Sequence, residues 1–305
     1  MPGRIHYPAL LDMQVRRLML FCRMKIAVLF KSDGRRPLKI LHCRWSRQQN
    51  GSQYWNKRAR HFSRSFYGSP TTKFYLEEEK YLIREYFENI ACKKILKLDL
   101  WNEAQNTEIL FWLSIQGSAC FGVDISEFTA HKARKRSKDL NVPIHTAVAD
   151  IVHLPFPDET FDFLYTMGTI EHIPEFDKAI SEINRVLKKG GRAVIGVPNK
   201  LNPFMFYPIS IALQFLGVYP YGYEKCFTNK ELAGEIKKSG LNVVGRDGIL
   251  FLPWVLRFLD LFLWLHYPSL CRITEFLLKP FSYIPRRHRL IKRCGHLTVC
   301  IAEKQ

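Results

Sequence analysis

No glycine occurs between Gly68 and Gly117, although the 305-residue chain holds 17 of them. A glycine-rich cradle for a nucleotide or its relatives is therefore excluded from that interval, and any left-handed turn there must be made by another residue type. The eight cysteines (22, 43, 92, 120, 226, 271, 294, 300) never form a C-x-x-C pair. Neither a zinc site nor a disulfide framework is suggested, so no metal and a reducing compartment are expected. Residues 18–30 are apolar but carry Arg23 and Lys25, which makes them too short and too charged to cross a bilayer. A signal-peptide cleavage pattern is missing. An Arg-rich, acid-poor start would suit a mitochondrial transit segment, but the serine richness of one is absent. The expected location is cytoplasmic, with contact at a membrane periphery or a mitochondrial destination as alternatives.

Acids are scarce at the start. Residues 1–64 carry 15 Lys and Arg against 2 acids, residues 65–240 carry 21 against 22, and residues 241–305 carry 10 against 4. The net charge of +18 thus sits on the flanks of a neutral core. Basic flanks suit an anionic surface, either nucleic acid or lipid headgroups, or else form a solvated tail. We expect residues 1–52 to be a basic, poorly ordered extension and residues 53–305 a single domain. The run YWNKRARHFSRSFY (54–67) mixes aromatics with cations, as a base-stacking surface does, but an amphipathic helix leading into the domain reads the same way.

What is present from residue 93 onward is alternation. Apolar runs at 93–100, 118–123, 144–148, 161–166 and 191–197 read as strands, and helical spacing fills 107–115, 127–139 and 177–187 between them. A helix at 229–239, closed by Gly240, precedes two last strands at 241–244 and 297–302. Strands separated by helices of crossover length imply an α/β fold: a doubly wound, Rossmann-like mixed sheet of seven strands with helices on both faces. Two helical inserts are expected to interrupt it, at 200–227 and at 249–295 near the C-terminus.

Asp124 ends the second strand in GVDIS. In doubly wound folds an acid there accepts hydrogen bonds from ribose hydroxyls; a helix N-cap before Glu127 is the competing reading. The stretch ADIVHLPFPDETFDFLYTMGTIEHIPEFDKAISEINRVLKKGGRAVIGVPN (149–199) resembles, in order and spacing, the type-11 family of class I S-adenosylmethionine (AdoMet) methyltransferases, which includes ubiquinone and menaquinone biosynthesis enzymes. With GVDIS the resemblance covers about half the chain. It implies AdoMet as cofactor, with Asp124 and Ile125 at the ribose, Asp150 and Ile151 at the adenine, and Met167 in the turn facing the methyl donor. It also makes His172 the candidate general base, since neutral imidazole can take a proton near pH 7, unless that histidine is structural. Methyl transfer from a sulfonium is an in-line displacement that mainly requires alignment and exclusion of water, so no catalytic triad is needed.

The departure from the family lies at the first strand. Relatives follow its acid with G-x-G-x-G, whereas here Asp99 and Leu100 lead into Trp101-Asn102-Glu103-Ala104-Gln105. Trp101 would take cofactor volume, and Glu103 would repel the cofactor carboxylate by on the order of 1 to 4 kcal/mol. Asp99 and Asn102 are then the candidates for the amino-acid end of AdoMet, or else the chain is a catalytically inactive scaffold or partner subunit. The acceptor is expected to be a hydrophobic, lipid-linked or quinone-like small molecule. In 249–295, apolar helix is broken by Arg257 and Asp260 one turn apart and followed by Arg286, Arg287, Arg289, Lys292 and Arg293. This reads as a lid or as a contact of 249–293 with an anionic membrane surface. Nucleic acid is the weaker partner: GVPN lacks the N/D-P-P-Y/F motif of amine methylation, so an RNA methyltransferase is a lesser alternative.

Overall fold

The computed structural model describes residues 51–305 apart from 62, 63, 88, 218, 220 and 288. The extension, its apolar segment and its transit-peptide reading lie outside the described residues. Among the described residues two helices precede the sheet, α1 (Ser52–His61) and α2 (Pro70–Tyr86). Ser69 caps α2 by accepting from the Thr72 amide, and Pro70 occupies a first-turn position where no N–H is required. The sheet elements follow as β1 (Lys94–Leu98), β2 (Ala119–Asp124), β3 (His145–Val148), β4 (Phe161–Met167), β5 (Leu187–Pro198), β6 (Leu241–Ile249) and β7 (Leu297–Lys304). Their spatial order is β3-β2-β1-β4-β5-β7-β6, with β7 antiparallel to both neighbours and the pairs among β1 to β5 parallel. This is the seven-stranded mixed sheet expected from the alternation.

Period-two alternation sorts the core into two layers. Ile95, Tyr165, Val194, Val299 and Ile301 face one side with α2, α4 (Ile109–Ile115) and α5 (Glu127–Leu140). Leu96, Leu98, Leu164, Ile195 and Cys300 face the other with α6 (Phe176–Val186) and α8 (Asn229–Lys238). Helix α6 sets Phe176, Ala179, Ile180, Ile183 and Val186 on one buried face; truncating a fully buried Ile there to Ala costs about 2–5 kcal/mol. Helix α8 begins with a capping box between Thr228 and Glu231, and Gly240 at φ +85° turns the chain out of it, as expected from sequence.

Two expectations shift, and the helical inserts are seen as expected. The residues after β1 form a short helix, α3 (Trp101–Gln105), rather than an open loop. Strand β6 runs to Ile249, well past residue 244, because its pairing with β7 continues to Leu297. Insert 200–227 contains helix α7 (Phe206–Leu216), and insert 249–295 contains α9 (Trp254–His266), α10 (Cys271–Arg287) and α11 (Arg289–Lys292). Asn199 ties the first insert to the second: its amide donates to the carbonyls of Arg293 and Gly295, and its Oδ1 accepts from the Leu201 amide.

Candidate active site

The carboxyl ends of the parallel strands open into a cavity of about 600 Å³. It is lined by all eight residues picked from the sequence: Asp99, Asn102, Asp124, Ile125, Asp150, Ile151, Met167 and His172. Their roles toward a ligand separate by what each side chain already holds.

Asp124 ends β2 beside the cavity. Its Oδ2 accepts from the Leu100 amide at 2.9 Å and its Oδ1 from the Ser126 amide at 2.7 Å. A carboxylate has about four acceptor positions, so lone pairs remain for hydroxyl donors. Burial pushes its pKa up to about 7 despite these bonds. The N-cap of α5 is Ser126, which accepts from the Thr129 amide; the competing N-cap reading of Asp124 is thereby corrected. Asp150 is exposed at the rim and holds its own turn through Val152, while Ile151 is buried beside it. Helix α1 roofs this end. Asn56 accepts from the Ser126 hydroxyl and the Phe128 amide, and Trp55 and Arg58 line the cavity. The 54–67 run therefore contributes a helix packed on the domain.

The β1 turn is closed in an unexpected way. Lys97, fully buried on the Ile95 side of β1, lies 3.0 Å from Asp99 Oδ1 and 3.1 Å from Glu103 Oε2. Burial opposes its charge, but Asp99 and Glu103 outweigh burial and hold the ammonium protonated. Glu103 is itself fully buried, and its other oxygen accepts from the Leu110 amide at 2.9 Å. The expected repulsion between Glu103 and a cofactor carboxylate is thus corrected: α3 turns this side chain into the core. Asp99 bends at φ +93° and receives Lys97, the Trp101 amide and the Thr169 hydroxyl. Asn102 is buried, bonded to Glu79 and to Asn106. Both side chains chosen for the amino-acid end are engaged inside the protein. Trp101 is half-buried and lines the cavity.

Beyond Met167, Gly168 at φ +74° turns the chain into a short 3-10 helix, Ile170–His172. His172 Nδ1 donates to the Tyr223 carbonyl at 2.7 Å, which fixes the neutral tautomer with its Nε2 lone pair free. That nitrogen is 3.7 Å from Glu171 and 3.9 Å from Glu224. Burial pushes His172 down to about 4. Burial also raises Glu224 to about 7, and burial together with Glu224 holds Glu171 well above the carboxylate range. Tyr219 donates to Glu224 at 2.8 Å. The ligand atoms of Glu171, His172 and Glu224 lie within 4.8 Å of one another, so a divalent cation would find its donors here. Glu224, placed by the first insert 52 residues after His172, has no signal in the sequence that links it to the EH pair.

The far wall is apolar. Phe206, Leu250, Leu252, Trp254, Phe258, Leu261, Phe262 and Leu265 line it. Helix α9 turns its thin polar stripe inward. Asp260 is buried against Thr71 and Thr274, and Arg257 reaches Thr71 and Asn106, whereas Val255, Phe258, Leu259 and Phe262 are 41–57% exposed. Within the expected basic cluster, Lys292 turns inward to Asp247 and the Tyr81 ring, which leaves Arg293 on the outside. Among the described residues no helix is long and apolar enough to cross a membrane.

Residues 104–195 match the methyltransferase domain family. A ubiquinone biosynthesis O-methyltransferase of Rhizobium etli is 26% identical over 140 residues, covering 45% of this chain and 56% of the relative. The sterol 4-C-methyltransferase of Caenorhabditis elegans is 32% identical over 140 residues, covering 44% and 41%. The chain thus spans about half the length of these relatives. A SAM-dependent methyltransferase from Thermotoga maritima shares the fold with a TM-score of 0.53 at 18% identity, covering 83% of this chain and 97% of that one. The strand order, the acids at the ends of β2 and β3 and the matched stretch agree: the domain has the Rossmann-like α/β fold of S-adenosylmethionine-dependent methyltransferases, and residues 104–195 within it are similar to the methyltransferase domain family.

Proposed function

We propose that the protein transfers a methyl group from AdoMet to a hydrophobic, lipid-linked or quinone-like small molecule. The observation that carries this reading is one continuous cavity with strand-end carboxylates at one end and the apolar wall of α9 at the other. The nucleoside half of AdoMet fits the residues present: Asp124 retains acceptor capacity for ribose hydroxyls, and Asp150, Ile151 and Val152 frame an edge for adenine. When bound, AdoMet supplies a methyl group already activated on sulfur. The chain's own work is to align the acceptor, keep water out and receive its proton. Glu224, with a pKa near 7, is better matched to that last task than His172, whose pKa near 4 leaves little driving force. Glu224 lines the cavity, and its Oε1 has no hydrogen-bond partner among the described residues.

Delivery of an apolar acceptor is supported by α9 and α10. Exposed Phe258 and Phe262 line the cavity and also face outward, and Ile273 and Phe276 on α10 lie exposed beside exposed Arg272 and Lys279. Apolar residues flanked by cations suit an anionic lipid surface, at roughly 1 kcal/mol per cation near it. The relatives named for ubiquinone and sterol chemistry support the same acceptor class. The test is methyl transfer from labelled AdoMet to short-chain quinols and sterols, alongside calorimetric titration with S-adenosylhomocysteine. Absence of binding at millimolar ligand would remove the enzyme reading and leave the inactive partner subunit, which Trp101 in the cofactor cavity favours.

A further inference from the structure

Arg257 stands out among the cavity residues because its charge is poorly matched. It is carried by α9, inside the second insert, and lines the same cavity as Asp99, Trp101 and Asn106. Its guanidinium donates to Thr71 Oγ1 at 3.3 Å and to Asn106 Oδ1 at 3.2 Å, both neutral acceptors at long range, and sits 5.5 Å from the Tyr75 ring centre. Guanidinium has five N–H donors. The acid one turn along its helix, Asp260, is held by the Thr71 amide and hydroxyl and by the Thr274 hydroxyl, and it touches Arg257 only through Thr71. Among the described residues no carboxylate makes an ion pair with Arg257. A cation enclosed in this way, with donors to spare and no direct counter-ion, is a receptor for an anion.

Its position says which anion. Asn106, to which Arg257 is bonded, ends the altered β1 turn and is bonded in turn to Asn102. Thr71 and Tyr75 belong to the first turns of α2, which packs over that turn. Asp124 and Asp150 line the same cavity, and Asp124 accepts from the Leu100 amide at the other end of that turn. A ligand whose ribose rests at Asp124 and whose chain runs past Asp99 therefore directs its far end toward Asn106 and Arg257.

We propose that Arg257 binds the α-carboxylate of AdoMet, supplying from the C-terminal insert the contact that the missing glycine N–H groups cannot make. This rests on the AdoMet reading above. Asp99 and Asn102 are then parts of the wall, while Arg257, oriented by Asn106 and Thr71, holds the amino-acid end.

The test is a thermodynamic cycle read by calorimetry, with S-adenosylhomocysteine and its decarboxylated analogue as ligands and the full chain as wild type and Arg257→Met. Wild type should bind the carboxylate-bearing ligand about tenfold to a hundredfold more tightly than the analogue. In Arg257→Met that preference should vanish while affinity for the analogue stays within about threefold, and Arg257→Lys should keep part of it, because a point charge replaces a planar fork. If Arg257→Met does not fold, Arg257→Lys and Arg257→Gln complete the same cycle. Equal preference for the carboxylate in wild type and variants would overturn the assignment of Arg257 alone. Failure of both ligands to bind wild type would overturn the cofactor reading and this inference together.

Discussion

The two ends of the cavity are built from different parts of the chain. The end proposed for the nucleoside uses strand termini, Asp124 as the last residue of β2 and the turn after β3, all within the residues similar to the methyltransferase domain family. The opposite end uses Tyr75 from α2, Glu224 from the first insert and Arg257, Phe258 and Phe262 from the second. A sheet fixes the positions of its strand ends by register, so the first end is held rigidly. Inserts can change without disturbing that register, so the second end is set by side chains that the sheet does not position. Between them lies the β1 turn, rebuilt around a buried ion pair.

Breaking that pair should give the largest effect. Lys97→Met leaves Glu103 and Asp99 without their cation inside the core, and unfolding in urea should show a loss of about 3–5 kcal/mol. Pairing it with Glu103→Gln should restore part of the loss; equal destabilisation by the single and double variants would mean the pair is not what holds the turn.

Next comes the nucleoside end. Asp124→Ala should weaken S-adenosylhomocysteine by roughly a hundredfold, because ribose acceptors and the Leu100 amide bond are lost together. Retained affinity would detach Asp124 from the ribose.

The same residue sets a pH dependence. Its folded pKa, near 7, is raised above that of an ordinary aspartate. Its neutral form is therefore favoured by folding, and the associated stability is full below about pH 4 and lost as pH rises to 7. Ligand binding runs the other way, since the carboxylate is the acceptor. Affinity should rise with pH by up to about tenfold per unit and level off above 7. A titration series from pH 5 to 8 that stays flat, or one that Asp124→Asn leaves unchanged, would break this link.

The smallest effect is expected at the outer face of α9. Phe258→Glu with Phe262→Glu should alter stability by about 0.5 kcal/mol per site, as exposed changes do, yet reduce sedimentation with anionic liposomes severalfold. Unchanged partition would remove the lipid-surface reading and leave α9 as a wall for the acceptor.

These contrasts also mark what could be read from the sequence. Strand and helix periods were legible because each element buries one face, and Asp124 and Asp150 were legible because strand ends are fixed points of the fold. The fate of the β1 turn was not. Trp101 to Gln105 reads as a loop in the family's frame, and only folding into α3 aims Glu103 inward at Lys97. One clue was present: in KILKL the lysine at 97 shares a strand face with Ile95, and a lysine on a buried face demands a counter-charge. Arg257 and Asp260 were visible as polar positions in an apolar helix, but their direction was not, since a helix with one polar stripe can turn it either way until its neighbours are known. Thr71 and Thr274, distant in sequence, decide it. Glu224 depends likewise on the path of an insert with no periodic pattern.

The Lys97 pair makes the altered turn hard to reverse. A designer who grafted G-x-G-x-G onto residues 101–105 would remove Glu103 and leave a buried ammonium with Asp99 as its sole remaining acid within ion-pair reach among the described residues. Conversely, restoring an apolar residue at 97 first would strand Glu103. Either single step passes through a protein destabilised by several kcal/mol. The turn and the strand beneath it are thus locked to each other, and a lineage or an engineer can exchange them only as a set.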